Sequence, residues 1–317
     1  MEMEWLEDFI SLAETHSFSR SAEARHITQP AFSRRIRSLE SWLGADLIDR
    51  TSYPTRLTPA GEVFYEQAVK MLGQISGTRA LLRGQRPADR DTITFATPHT
   101  LSLTYFPKWL ADIEKTFGIV NTRLLVGNVH DAVMALVEGG CDLLLCYHHP
   151  RRPVQLNKRH YDMLVLGKEA MLPCARCNRS GEPLFRLPGT PQAPVPFLSY
   201  SPNAYFSRMV ELILADNGDL HLETRYETDM AECLKAMALE GHGVAFLPQS
   251  AVVREVKSRR LTLAGDRRFS VEMEILLYRP RHSGKPIVDR LWRYLLPRYA
   301  GQATPTTETQ RHREFGN

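Results

Sequence analysis

Thr28-Gln29-Pro30-Ala31-Phe32-Ser33-Arg34-Arg35-Ile36-Arg37 decides how the N-terminal part of this chain folds. Placed on a helix at about 100° per residue, Phe32, Ile36, Leu39 and Leu43 fall on one narrow stripe. Pro30, Ser33, Arg34 and Arg37 fall opposite. One face is suited to burial against other helices. The other offers hydroxyl and guanidinium donors, with no acidic residue between Thr28 and Arg37. A helix fits the major groove, and Arg reads guanine edges and phosphates. Residues 28–43 therefore form a candidate DNA-recognition helix, although a basic face can also be merely solvated.

The flanking residues fit that reading. Trp5, Leu6, Phe9, Ile10 and Ala13 recur at helical spacing and predict a helix near 3–14. Ser19 is a suitable N-cap for a short helix from Arg20 to Arg25. His26 and Ile27 turn the chain, Thr28 caps the next helix, and Pro30 lies in its first turn, where a missing N–H costs nothing. Gly44 ends it. Two helices with a short turn, the second basic, are a helix-turn-helix arrangement. Leu47 to Thr58 then reads as two short strands around Ser52-Tyr53-Pro54, a wing with Arg50 and Arg56 at its ends. In this arrangement Gln29, Ser33 and Arg34 would meet base edges, while Thr28, Arg37, Arg50 and Thr58 would hold phosphates and set register.

Thr58-Pro59 opens another helix, with Thr as cap and Pro at the first position. Phe64, Ala68, Met71, Ile75 and Leu82 lie at or near one face of a rod of about 37 Å. That stripe calls for a partner, and the expected partner is the same helix of a second subunit. A two-fold dimer would set two recognition helices about one DNA turn apart.

A length of 317 residues with 43% hydrophobic content fits two or three ordinary domains. No run approaches the roughly 18 apolar residues of a membrane span. Met-Glu-Met-Glu-Trp lacks the order of a secretory signal, so a cytoplasmic protein is expected. The net charge of +4 is too small to name nucleic acid by itself. Five cysteines (Cys141, Cys146, Cys174, Cys177, Cys233) do not suggest a disulfide framework. Cys174-Ala-Arg-Cys177 is a lone CxxC, open to three readings: a redox pair, half a zinc site, or plain reduced thiols. No metal or cofactor is expected.

Gly84 to Arg90 reads as a hinge. Strands and helices alternate from Asp91 on, which argues for an α/β fold with a mostly parallel sheet. Strands are expected at 93–96, 122–126, 141–147, 197–200, 222–226, 244–247 and 271–278, and helices near 101–116, 129–138, 204–216, 229–239 and 285–296. Ligands in such sheets bind outside the carboxyl ends of the strands. That rule selects Thr97, His99, Thr100, Leu101 and Ser102, then Asn128, then Tyr147 and His148. In the second set it selects Ser199, Ser201, Asn203 and Tyr205, and Thr228 to Met230, including Asp229. Each Ser, Thr or Asn there can equally be a helix cap. His99 stands out because it can change charge near neutral pH.

The pattern Ser19-Arg20-Ser21-Ala22-Glu23, Gln29-Pro30-Ala31-Phe32-Ser33-Arg34-Arg35-Ile36-Arg37-Ser38-Leu39-Glu40, Leu43-Gly44, Leu47, Arg50, Leu57-Thr58, Gly61 resembles the N-terminal signature of LysR-type transcriptional regulators. Ile48 departs from the family's usual Phe, and the wing tip lacks its frequent Gly or basic residue. Gly241-His242-Gly243-Val244-Ala245-Phe246-Leu247-Pro248 is similar to the family's Gly-x-Gly-x-x-x-Leu-Pro segment. The resemblance implies a winged helix-turn-helix over 1–58, a dimerising linker helix over 59–84 and a hinge over 85–90. It also implies a bilobed, periplasmic-binding-protein-like effector domain over 91–300. Lobe I would comprise about 91–162 and 267–300, lobe II about 163–266. The Thr-, Gln- and Arg-rich composition of 301–317 separately predicts a disordered tail. It implies promoter DNA, a small-molecule or oxidant effector and RNA polymerase as partners, in a homodimer or homotetramer. Residues 97–107, 200–205 and 228–233 resemble the hypochlorite-responsive subgroup, in which methionine oxidation is the proposed signal. Met230 matches a cleft position of that subgroup, but Phe206 stands where a methionine is expected. A small carboxylate in the same cleft is the competing effector.

Two other classes are weighed against a regulator. An enzyme would need a catalytic constellation, yet the chain has no Gly-x-Ser-x-Gly elbow, phosphate-cradling P-loop or His-Glu-x-x-His site. A plain ligand-binding protein would explain the second half and leave the helix-turn-helix unexplained.

Overall fold

A computed structural model of the chain describes residues 2–52, 55–82, 91–154, 156, 160–202, 204–281 and 285–300. The expected hinge, the C-terminal tail, Asn203 and the Tyr53-Pro54 wing tip lie outside the described residues.

Helix α1 (Met3–Thr15) buries Leu6, Phe9, Ile10, Leu12 and Ala13. Helix α2 (Phe18–Ala24) starts earlier than the spacing predicts. Its cap is Ser17, whose side chain accepts from the Arg20 N–H, not Ser19. The reason is tertiary: Phe18 packs edge-on against Phe32, 6.0 Å between centroids, which draws it into the first turn. Helix α3 (Gln29–Leu43) buries Phe32, Ile36 and Leu39 completely and ends at Gly44, φ +70°. Thr28 holds the N-cap position, but its side chain makes no capping hydrogen bond. Strands β1 (Ile48–Asp49) and β2 (Arg56–Leu57) pair as the predicted wing.

Thr58 caps α4 (Pro59–Leu82), accepting from the Gly61 N–H at 3.0 Å. The stripe expected to face a second subunit divides between the protein interior and the surface. Phe64 packs on Phe9 at 5.3 Å, and Ala68 is fully buried beside Tyr65 and Leu72. An apolar helix face is covered by whatever lies nearest, and here α1 and the effector half lie nearest. Val63, Met71 and Ile75 remain exposed. The Leu82 side chain lies outside the described set.

The second half contains β3 (Thr92–Pro98), α5 (His99–Thr104), α6 (Phe106–Phe117), β4 (Asn121–Gly127), α7 (Val129–Val137) and β5 (Leu143–His148). Then come β6 (Tyr161–Arg176), β7 (Val195–Tyr200), α8 (Tyr205–Asp216), β8 (Leu222–Thr228), α9 (Ala231–Leu239) and β9 (Val244–Pro248). The chain closes with α10 (Gln249–Lys257), β10 (Leu261–Leu263), β11 (Val271–Pro280) and α11 (Pro286–Tyr299). The single helix expected near 101–116 breaks at Tyr105, because Pro107 in the first turn of α6 cannot donate back into α5.

Among the described residues, nine strands form one sheet along the path β4-β3-β5-β11-β6-β9-β7-β8, with β10 on β6. β3 pairs in parallel with β4 and β5, and β7 with β8 and β9. The two parallel sets are joined through the antiparallel pair β6 and β11. β6 was not expected as a strand, and the lobe boundary expected at 162/163 falls at its beginning. Residues Tyr161 to Met171 pair with β11, whereas Met171 to Cys174 pair with β9, so this one strand runs along both parallel sets.

One apolar cluster runs from the helix-turn-helix into lobe I. Phe9, Ile36, Tyr65, Ala68 and Leu72 belong to it together with Leu136, Val137, Cys141, Tyr161 and Tyr278. The opposite sheet face and lobe II form the other cluster.

Candidate functional sites: a basic helix face and an interlobe cleft

The outward face of α3 is built by subtraction. Arg35 turns inward to Glu4 at 2.6 Å and Asp8 at 3.3 Å. Asp8 is fully buried and also receives Arg25 at 2.9 Å, while Glu7 takes the other side of that guanidinium. A buried carboxylate must be paired, and these two arginines do so. Arg34 and Arg37 remain exposed, with no carboxylate partner among the described residues. Thr28, Gln29 and Pro30 are exposed beside them, and Ser33 is half-buried. The Gln29 side-chain oxygen accepts from the Ser19 hydroxyl at 3.3 Å, which ties α2 to the start of α3.

Two of the expected phosphate contacts, Arg50 and Thr58, also bond within the protein. Glu40 is buried, accepts the Leu47 and Ile48 N–H groups at 3.0 and 3.1 Å, and pairs with Arg50 at 2.6 Å. Arg50 therefore anchors the wing to α3. The Thr58 hydroxyl donates to the Asp46 carbonyl at 2.6 Å while capping α4. Arg56 stays exposed on the wing. Glu40 was missed because a lone Glu at the end of a basic helix carries no sequence sign of burial.

The second site lies where the carboxyl ends of the parallel strands meet the other lobe. Thr97 and Tyr147 are the next-to-last residues of β3 and β5, both on the face that also carries Ile93, Phe95, Leu143 and Leu145. Both side chains are fully buried, and neither hydroxyl has a hydrogen-bond partner among the described residues. Burial drives the Tyr147 phenol far above its ordinary value, with Glu169, Tyr200 and Glu232 adding to the effect. From lobe II, Phe206 on α8 packs against Tyr147 at 5.0 Å and Tyr200 at 5.3 Å. Glu169 of β6 is buried and accepts the Ser250 N–H at 3.1 Å; burial raises its carboxyl. The Ser250 hydroxyl meets that of Thr104 at 3.0 Å and so joins α10 to α5 across the lobes. Tyr200, Glu169, Ser250 and Thr104 were not selected from the sequence, because β6 and the facing of the lobes are tertiary facts.

The other predicted cleft residues separate. Thr100 is buried at the start of α5, and Leu101 is wholly within the core. His99 is exposed, and its carbonyl accepts the Ser102 hydroxyl at 2.6 Å. Asn128 is a cap, its side chain accepting the Asp131 N–H at 2.9 Å. His148 is half-buried at the end of β5. Ser201 closes a turn onto Ala204. Ser199 is half-buried, and its hydroxyl donates to the Tyr200 carbonyl at 3.0 Å. The Tyr205 hydroxyl is 3.5 Å from the Arg152 carbonyl. Asp229 is exposed, and Met230 is half-buried with its N–H on the Thr228 hydroxyl at 3.4 Å.

The CxxC is not a redox pair in this fold. Cys174 is inside β6 and Cys177 just beyond it, so three extended steps along the chain separate them by about 10 Å, too far for a disulfide. Burial pushes the Cys174 thiol to about 12. Among the described residues no group of three His, Cys, Asp or Glu could hold a metal ion. No described helix is long and apolar enough to cross a membrane.

A winged helix-turn-helix with an open basic face, continued into a bilobed α/β domain, defines a DNA-binding regulator with an effector-binding half. Residues 3–62 match the bacterial regulatory helix-turn-helix protein model of the lysR family, and residues 87–300 match the LysR substrate binding domain. The chain belongs to the LysR family of transcriptional regulators. It is 32% identical to the HTH-type transcriptional regulator YjiE of Escherichia coli, over 93% of this chain and 94% of that protein. Vibrio fischeri DarR, solved in complex with DNA, is similar at 30% identity and TM-score 0.59, covering 93% of this chain and 98% of that one. Full-length HypT of Salmonella typhimurium, a hypochlorite-specific LysR-type regulator, is similar at 30% identity and TM-score 0.59, covering 95% and 99%.

Proposed function

We propose that this regulator reads its operator with Gln29, Ser33 and Arg34 and holds phosphates with Thr28, Arg37 and Arg56, with Pro30 shaping the start of the reading helix. The observation that supports this assignment is the separation of the α3 arginines into one bound inward and two left free. DNA binding is expected in the cytoplasm and without catalysis, since relatives over the whole chain are transcriptional regulators. A second copy pairs through the exposed edge of α4 at Met71 and Ile75, and two such dimers make a tetramer that can engage RNA polymerase.

The effector is a small molecule taken between the lobes, hydrogen-bonded by Thr97 and Tyr147 and stacked on Phe206. A buried hydroxyl without a partner costs about 1–3 kcal/mol, so two of them on one face favour a guest that satisfies both. The carboxylates that act on Tyr147 are Glu169 and Glu232, a field that suits an uncharged or cationic guest better than a carboxylate. Direct oxidation is the second reading. It rests on Met230, half-buried at the start of α9, because Phe206 cannot form a sulfoxide.

The test is a gel shift with the DNA upstream of the protein's own gene, with the purified protein analysed in parallel by native mass spectrometry. A salt-sensitive, sequence-selective shift is expected, together with a bound small molecule whose removal alters the shift. A mass gain of 16 Da at Met230 after hypochlorite, with no bound molecule and an altered shift, would select the oxidation reading. Equal affinity for every duplex would reject the base-reading assignment.

A further inference from the structure

The two functional halves meet along a seam with its own chemistry. Lobe I supplies α7 and the start of β6, and the DNA-binding half supplies α1 and α4. Along part of the seam the backbones touch: a Cβ on Gly139 would stand 3.1 Å from the Gly73 Cα, and Gly139 itself has φ +68°. At the other end His160, immediately before β6, inserts between two helices. Its ring stacks on Tyr65 of α4 at 4.1 Å. Its Nε2 lies 3.2 Å from a Glu62 carboxylate oxygen of α4, and its Nδ1 lies 3.8 Å from Glu14 of α1. The Tyr65 hydroxyl donates to the same Glu14 oxygen and sits 3.3 Å from the Tyr161 hydroxyl of β6.

One imidazole of the effector half thus faces two carboxylates of the DNA-binding half, in a partly desolvated place. Charge decides whether that contact holds. An imidazolium between two carboxylates gains from both, and the gain grows as solvent is excluded. A neutral imidazole can donate from only one nitrogen, which leaves one carboxylate facing a lone pair.

We propose that His160 is a charge-dependent clasp that, as imidazolium, fastens lobe I to α1 and α4 through Glu14 and Glu62 and, as neutral imidazole, lets the DNA-binding half move away from it. Burial lowers the proton affinity of His160, but the charges of the nearby Glu14 and Glu62 carboxylates, with the hydrogen bond to Glu62, outweigh it, and the imidazole is held above its ordinary value. The other charged group nearby, Arg281, donates its backbone N–H to the His160 carbonyl, and its guanidinium is 3.4 Å from Asp162. His130, at the start of α7 on the same side of lobe I, is of opposite character. Burial lowers it against the pull of Asp131, and His26, Arg208 and Arg25 lower it further. A group whose affinity rises in the closed form holds the seam fully below about pH 6.5, its unperturbed value, and releases it as pH climbs through the raised value.

Hydrogen exchange of the full chain, followed by mass spectrometry and corrected for intrinsic rate, tests this at pH 6 and pH 8.5. Peptides over 64–72 and 132–141 report on the seam, and a peptide over 195–200 in lobe II is the internal reference. In the wild type, exchange at the seam should rise at least threefold at the higher pH while the reference stays constant. H160Q should exchange at the fast rate at both pH values, and E62Q should shrink the step. Protection at the seam that does not change with pH in the wild type, or an undiminished pH step in H160Q, overturns the clasp. Should H160Q lose its fold, titration of the His160 ring by NMR in the wild type decides, a value at or below 6.5 counting against the clasp.

Discussion

Replacing Arg34 by Ala should cost operator affinity and spare affinity for random DNA. Arg34 projects from the first turns of α3, exposed and without a carboxylate partner among the described residues, so nothing inside the protein competes for its guanidinium. A bidentate contact to a guanine edge contributes about 1–3 kcal/mol of discrimination, or roughly 5- to 150-fold in affinity. Arg37 is equally free but lies one turn further along the helix. Arg37→Ala should weaken operator and random duplexes alike and lower the salt slope by about 1. Arg35→Ala supplies the contrast. That side chain is already committed to Glu4 and Asp8, and its loss leaves the fully buried Asp8 with Arg25 alone. Breaking one arm of a buried charge network typically costs about 3 kcal/mol of stability, so this variant should fail in thermal melting, not in base selectivity. Fluorescence anisotropy on operator and scrambled duplexes, between 50 and 200 mM salt, separates the three variants. Equal losses on both duplexes for Arg34→Ala would refute its base-reading role. A folded, equally stable Arg35→Ala with lost selectivity would refute the inward assignment.

Tyr147→Phe should raise the thermal stability of the free protein by about 1 kcal/mol, because it removes a buried hydroxyl without a partner, and should abolish the response to effector; a destabilised variant would show that the hydroxyl is satisfied. Gly61→Ala should destabilise the DNA-binding half despite a helix-propensity gain of about 1 kcal/mol. Its Cβ would lie 2.1 Å from the Leu47 carbonyl oxygen, which also receives the Thr58 N–H, so wing and helix must part; an unchanged melting temperature would contradict this. The double variant Met71→Glu, Ile75→Glu should lower the mass measured by light scattering, since like charges would meet across a two-fold axis. An unchanged mass would place the self-association surface elsewhere.

The legible parts of this protein are those written at short range. The buried stripe of α3 was readable because Phe32, Ile36 and Leu39 recur at the helical period, and the Thr58 cap because Thr-Pro is a local signal. The α2 boundary was misread because Phe18 answers to Phe32, fourteen positions away in the chain. β6 escaped notice because Gly167, Lys168, Glu169 and Pro173 interrupt its apolar pattern, and only its neighbours β9 and β11 make it a strand. Of the cleft residues chosen by strand ends, Asn128 proved a cap, whereas Thr97 and Tyr147 share a face with unmet hydroxyls.

By itself the sequence determined the reading helix, its cap-and-wing setting and the alternation that makes an α/β effector half, because helical periodicity and caps depend on residues within a turn or two. Only the tertiary structure decided which arginines of α3 face outward and that Arg50 and Thr58 hold the wing. It also turned Phe64 and Ala68 inward, left Met71 and Ile75 outside, and set His160 between Glu14 and Glu62. Each of those outcomes depends on which carboxylate, ring or helix arrives from elsewhere in the chain to compete with solvent. Spacing along one segment does not contain that information.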